Sequence, residues 1–134
     1  MKILITGSNG QLGNELQKII STGIAEIGAV SAEIKAAEVF AVDVDKLDIT
    51  NLEQVKAVLR EVKPDVVINC AAATNVDGCE ANKDLAFKIN ALGPRNLAMV
   101  CEEIGAKIVQ VSTDYVFRGV GDTQIGRASC RERV

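Results

Sequence analysis

A chain of 134 residues, 48% apolar and 25% charged, has room for one small globular domain. Its net charge of −3, with one Tyr, three Phe and no Trp, provides neither the basic field nor the stacking surface that nucleic acid requires, and nothing to attract anionic lipid. No apolar stretch approaches the ~20 residues of a membrane span, and no secretory signal opens the chain, so the cytoplasm is the expected compartment.

There is no His, and Cys70, Cys79, Cys101 and Cys130 form no C-x-x-C pair. That argues against a zinc site and excludes His-based nucleophilic catalysis, so no metal is expected. The cysteines are expected to be reduced thiols, with Cys70 and Cys101 acting as buried small hydrophobes.

Lys2–Thr6 is a short apolar run that ends at glycine and suits a strand buried on both faces. A turn over Gly7–Gly13 follows, and then Leu12, Leu16, Ile19 and Ile20 recur at helical spacing. Residues 21–37 read as loop with some helix. Val39–Val42 is a second strand, ending at Asp43, and Lys46–Thr50 reads as a short strand. Asn51 is an N-cap with Gln54 at the capping-box position, ahead of a helix with the stripe Leu52, Val55, Val58 and Val62. Pro64 stops it. Asp65–Asn69 is another buried strand. Helices over about 80–91 and 94–104 follow, with Pro94 in the first turn of the second and Gly105 at its end. Lys107–Val111 is the last strand, running into Ser112 and Thr113.

Strand and helix alternate throughout. The expected fold is therefore α/β, a Rossmann-type doubly wound parallel sheet with right-handed crossovers that stops after about five strands. From Gln124 the pattern gives way to Gln-Ile-Gly-Arg-Ala-Ser-Cys-Arg-Glu-Arg-Val. Back-translated, this run looks like a common short-read sequencing adapter from its second base onward. The alternative is a genuine basic tail. Residues 124–134 are expected to be a non-native tail. Residues 1–123, with 12 basic and 17 acidic side chains, are then an incomplete domain of a longer protein.

Gly7-Ser8-Asn9-Gly10-Gln11-Leu12-Gly13 is a G-x-x-G-x-x-G turn between strand and helix. The first glycine permits a tight turn, the middle one a close approach to a pyrophosphate, and the last close packing of helix on strand. The N–H groups and dipole at the helix start favour a phosphate there. An ordinary glycine-rich turn is the competing reading. Asp43 stands where dinucleotide folds place the acidic residue that holds the adenosine ribose, but thirty residues after Gly13 rather than the usual ~20. Asp45 and Asp48 are its rivals. Asn69–Thr74 and Ser112–Tyr115 lie at strand ends that should face one crevice. The small residues at 70–73 suit either a flat cofactor or close helix–sheet packing. Ser112 and Thr113 suit either a substrate carbonyl or a strand cap. Asn90, inside a helical run, either faces the crevice or lies exposed.

These motifs together resemble the extended short-chain dehydrogenase/reductases and, within them, the dTDP-4-dehydrorhamnose reductase family. The matching pieces are Ile5–Gly13, Leu47–Thr50, Pro64–Ala72, Thr74–Asp77, Ile89–Ala91 and Val111–Phe117, spread over residues 1–119. The glycine turn is shared across the superfamily. Ser-Thr-Asp-Tyr-Val-Phe, and Gln-Leu-Gly after the second glycine, are more specific. The resemblance implies that residues 1–123 are an NAD(P)-binding domain. The full-length protein would reduce the 4-keto group of dTDP-4-dehydro-L-rhamnose with NADPH or NADH, giving dTDP-L-rhamnose. By position it implies a cofactor site at Gly7, Gly10, Gln11, Leu12, Gly13, Asp43, Asp48, Ile49, Ala72, Ala73 and Thr74. It implies Thr113 as the catalytic hydroxyl on the ketone, Asp114 and Tyr115 as contacts to the sugar nucleotide, and a homodimer as the full-length assembly to test for.

One departure matters. The family's proton donor is a Tyr in a Y-x-x-x-K pair downstream, whereas the only Tyr here is Tyr115, followed four residues on by Gly119. Arg118 also replaces the acidic residue common before that glycine. The chain as it stands is therefore expected to turn over no substrate, and its unfinished sheet edge to be prone to aggregation. Two other functions compete: a different extended reductase or sugar-nucleotide epimerase, and a non-catalytic subunit such as that of methionine adenosyltransferase. Asp43 favours tolerance of NADH, because a carboxylate repels a 2′-phosphate.

Overall fold

Residues 1–113 are described by a computed structural model. In chain order the elements are β1 (Lys2–Thr6), α1 (Gln11–Thr22), a small hairpin of β2 (Ile24–Ala25) and β3 (Gly28–Ala29), α2 (Ala32–Lys35), β4 (Glu38–Val42), α3 (Leu52–Val62), β5 (Val66–Asn69), α4 (Val76–Ala81), α5 (Lys83–Phe87), a π-helical turn (Lys88–Leu92), α6 (Gly93–Ile104) and β6 (Lys107–Gln110).

Four strands form one parallel sheet in the order β4-β1-β5-β6. The chain leaves β1 for its neighbour on one side, β4, then crosses to the other side for β5. That reversal opens a crevice beyond the carboxyl ends of β1 and β5, where α/β folds bind ligands.

The apolar run of β1 is continuous because both of its faces are covered. Ile3 and Ile5 pack with Ile20 of α1, along with Leu16, Val39, Ile68 and Cys70. Leu4, between them, faces the other way, into a core with Leu47, Ile49, Val55, Leu59, Val67, Leu97, Val100 and Cys101. Helices α3 and α6 cover that second face. Cys101 is buried as expected, while Cys70 is only partly so. Helices α1 and α6 end on Gly23 and Gly105 in the left-handed region. Lys63 ends α3 in the same conformation, at φ 50°, immediately before Pro64.

Three stretches differ from the sequence reading. Lys46–Thr50 is a turn rather than a strand. Leu47 and Ile49 are buried two apart, as in a strand, but Asp48 Oδ1 accepts from both Thr50 N and Thr50 Oγ1 and folds the backbone over locally. Residues 21–37 hold the hairpin and the single turn of α2, capped by Ser31, and this insertion accounts for the long spacing from Gly13 to Asp43. The helix expected over 80–91 starts earlier and is broken into pieces, because Asn75 and Asn82 each cap a new start by accepting from Gly78 N and Leu85 N.

Candidate functional site

The glycine turn is built by contacts that leave no room for side chains. Gly7 takes φ 62°, and a Cβ on it would stand 2.6 Å from the backbone nitrogen of Ala71 and 2.8 Å from the carbonyl carbon of Cys70. The chain leaving β5 thus lies directly on the turn leaving β1. A Cβ on Gly13 would collide with Gly7 O and come within 2.7 Å of Ser8 Cα, so the last glycine packs α1 onto the turn itself. Gly10 is open by comparison; a Cβ there would meet only Gly7 O, at 3.3 Å. Gly10 is also the N-cap of α1, with no side-chain cap, so among the described residues nothing covers the amides that begin the helix at Gln11 and Leu12. Both of those residues are exposed. Gln17 braces the arrangement from inside α1, its Nε2 donating to Ser8 O and Gly13 O.

Asp43 follows β4 directly. Its Oδ2 accepts from Asn9 N at 2.9 Å and its Oδ1 from Val44 N at 2.8 Å. Its rival Asp48 is engaged within its own loop. Gln54, expected to complete a capping box with Asn51, instead accepts from Asp48 N at 3.0 Å, while Asn51 Oδ1 accepts from Glu53 N and Gln54 N. Ile49 is buried in the core beneath that loop, in the cluster against which Ala71 also packs.

Beyond β5, Ala72 and Thr74 are exposed and Ala73 is half-buried. Asn90, in the π-helical turn, grips this segment with both ends of its amide: Ala73 N donates to Asn90 Oδ1 at 2.8 Å, and Asn90 Nδ2 donates to Ala73 O at 2.9 Å. Both roles open to Asn90 in the sequence hold: the residue is exposed, and its side chain bonds the segment beyond β5. Deeper in, the buried Asn69 ties three strand ends together. Thr6 Oγ1 and Ala71 N donate to its Oδ1, and its Nδ2 donates to Gln110 Oε1 at 2.7 Å. Burial pushes the Cys70 thiol up in pKa, so the cysteine beside the turn stays protonated and is a poor nucleophile.

Thr113 is exposed, three residues past the end of β6, at the sheet end that carries Cys70–Thr74. Asp114 and Tyr115 lie outside the described residues, as does the 124–134 segment. Sequence reasoning missed the bracing amides of Gln17 and Asn96. Their only sequence signal is a polar residue on a helix face that is otherwise apolar. A recess of about 490 Å³ lies away from the crevice, at the carboxyl ends of α3 and α6, lined by Arg60, Lys63, Pro64, Asp65 and Lys107 among others. Cations there complement the two helix dipoles.

The arrangement is a backbone cradle at a helix start, an acidic residue at the end of the neighbouring strand, and a small-residue wall held by an amide clamp. It suits an elongated ligand with a diphosphate at its middle. The family described as RmlD substrate binding domain matches residues 1–129. A dTDP-4-dehydrorhamnose reductase of Mycobacterium tuberculosis is 39% identical over 118 residues, 88% of this chain and 34% of that protein. A crystal structure of a dTDP-4-dehydrorhamnose reductase from Clostridium acetobutylicum superposes with a TM-score of 0.82 at 53% identity, over 93% of this chain and 40% of that one. One from Bacillus anthracis, in complex with NADP, gives 0.76 at 41% identity, over 90% and 39%. The chain therefore spans between a third and two-fifths of the length of these relatives, and it belongs to the dTDP-4-dehydrorhamnose reductase family.

Proposed function

We propose that residues 1–123 are the cofactor-binding part of a cytoplasmic reductase that converts dTDP-4-dehydro-L-rhamnose to dTDP-L-rhamnose with NADPH or NADH. The observation that carries this reading is the contact of Gly7 with Cys70 and Ala71 at the sheet reversal, beside the uncapped start of α1. It lays the chain leaving β5 against the turn leaving β1 with no room for a side chain between them, and leaves the exposed start of α1 beside them for a dinucleotide's diphosphate. Gly10, Gln11 and Leu12 offer backbone to the pyrophosphate, and Asp43 stands at the adenosine ribose. Ala72, Ala73 and Thr74 line the wall along which the rest of the cofactor lies. Thr113 orients the ketone, and Asp114 and Tyr115 contact the sugar nucleotide. The bound nicotinamide supplies hydride. The proton comes from a Y-x-x-x-K pair, which residues 1–123 do not contain.

The test is to read the locus beyond codon 123, express the longer chain and follow oxidation of NADPH and NADH with dTDP-4-dehydro-L-rhamnose. A frame continuing into Y-x-x-x-K, with substrate-dependent oxidation, supports the proposal. A frame that truly ends in residues 124–134 contradicts the view of them as foreign, and a longer chain that only epimerises nucleotide sugars contradicts the assigned reaction.

A further inference from the structure

The loop between β4 and α3 carries Asp48 and Ile49, and its internal bonds set its shape. Asp48 holds Thr50, and Gln54 holds Asp48 N. What sets its position against the sheet comes from elsewhere in the chain. Asn96 of α6 is buried, and its Nδ2 donates to Ile49 O at 3.0 Å and Thr50 O at 3.3 Å. Gly93, also buried, receives the Ile49 side chain so closely that a Cβ would stand 2.5 Å from its Cδ1 and 2.7 Å from its Cγ1. Three residues earlier, Asn90 clamps Ala73. Residues 90, 93 and 96 thus recur at three-residue spacing along one helical rod and hold both walls of the crevice.

We propose that Asn96 is a positioning residue for the adenosine side of the crevice, fixing the 47–51 loop through its two carbonyls. The inference rests on the cofactor reading given above. The chemistry selects asparagine. Two successive carbonyls, the first buried and the second partly so, take two N–H donors from one short side chain. A serine offers one, an aspartate offers none and repels, and an alanine leaves the buried Ile49 carbonyl without that donor. Ala71, which touches the glycine turn, packs against the same cluster as Leu47 and Ile49, so a displaced loop carries the wall with it.

The test uses the 134-residue chain and its N96D, N96A and G93A variants. It reads the thermal midpoint, and the affinities for NADH and for ADP-ribose well below that midpoint. N96D keeps the side chain's size and removes both donors. The expected result is about tenfold weaker binding of both ligands by the folded N96D protein. Lowering the pH protonates the new carboxyl and returns one donor, so the ADP-ribose affinity of N96D recovers in part while that of N96A does not. G93A displaces Ile49 by an independent contact and is expected to weaken binding in the same direction. If N96D does not fold, G93A decides. Variants that lose thermal stability but bind both ligands within about twofold of wild type, a difference under one hydrogen bond's worth, overturn the positioning role. A wild-type chain that binds neither ligand defeats the cofactor reading itself, before any variant is compared, and the proposal falls with it.

Discussion

Asp43, the first residue beyond β4, accepts a hydrogen bond from the Asn9 amide at 2.9 Å, and its other oxygen accepts from Val44 N at 2.8 Å. A side chain that sequence position assigns to a ribose therefore also fastens the middle of the glycine turn to the neighbouring strand.

Two substitutions separate these roles. Asp43→Asn keeps an acceptor for Asn9 and removes the charge. It is expected to shift the ratio of NADPH to NADH affinity toward NADPH by about tenfold, with little change in stability. Asp43→Ala removes the acceptor as well and is expected to cost about 1 kcal/mol. Fluorescence titration with each cofactor and a urea midpoint read the two effects.

The three glycines of the turn are predicted to differ in kind. Gly7→Ala forces a side chain into the left-handed region and against Ala71 N, and is expected to cost about 2–4 kcal/mol. Gly10→Ala meets only Gly7 O, so stability changes by less than about 1 kcal/mol, while the new methyl stands where backbone should approach a pyrophosphate. Its cofactor affinity is expected to fall more than about tenfold. Thermal melts with and without NADPH distinguish a folding defect from a binding defect.

Asn69 links β1, β5 and β6 through Thr6, Ala71 and Gln110. Asn69→Ala leaves several polar groups unpaired at the crevice floor and is expected to cost about 2–3 kcal/mol in urea unfolding. Asn69→Asp keeps the acceptor for Thr6 and Ala71 but sets a buried carboxylate oxygen against Gln110 Oε1, so it is also expected to destabilise, and less so as the pH falls and the carboxyl is protonated.

The legible parts of the molecule are those where local pattern and tertiary environment agree. The run Lys2–Thr6 reads as a strand covered on both faces because Ile3, Leu4 and Ile5 do alternate between two cores. The stripe on α3, its cap at Asn51 and its stop at Pro64 are local signals and match the structure. Leu47 and Ile49 misled because burial two residues apart looks the same in a strand and in a turn pinned by Asp48. Asn82 was invisible as a helix break because an asparagine inside a helical pattern reads as exposed surface until its cap bond to Leu85 N is seen. In the site, glycine spacing and the acid after β4 were readable. The bonds from Asn90 to Ala73 and from Asn96 to Ile49 span 17 and 47 residues and leave no local trace.

Burial pushes the thiols of Cys70 and Cys101 up in pKa. A folded-state pKa above the unfolded value means a stabilising contribution that is complete below the unfolded thiol pKa and is lost as pH rises through the folded one. The thermal midpoint is therefore expected to fall as pH rises past about 8.5, and the C70A/C101A double variant to show a shallower decline. Melts at several pH values from neutral to mildly alkaline check this.

The most direct test of the account is calorimetric titration of the 134-residue chain with NADPH and with NADH. Saturable binding at one site per chain is expected, weakened by Gly10→Ala at unchanged fold, with no oxidation when dTDP-4-dehydro-L-rhamnose is added. A folded chain that binds neither cofactor, or binds them equally well with Gly10→Ala, would contradict it.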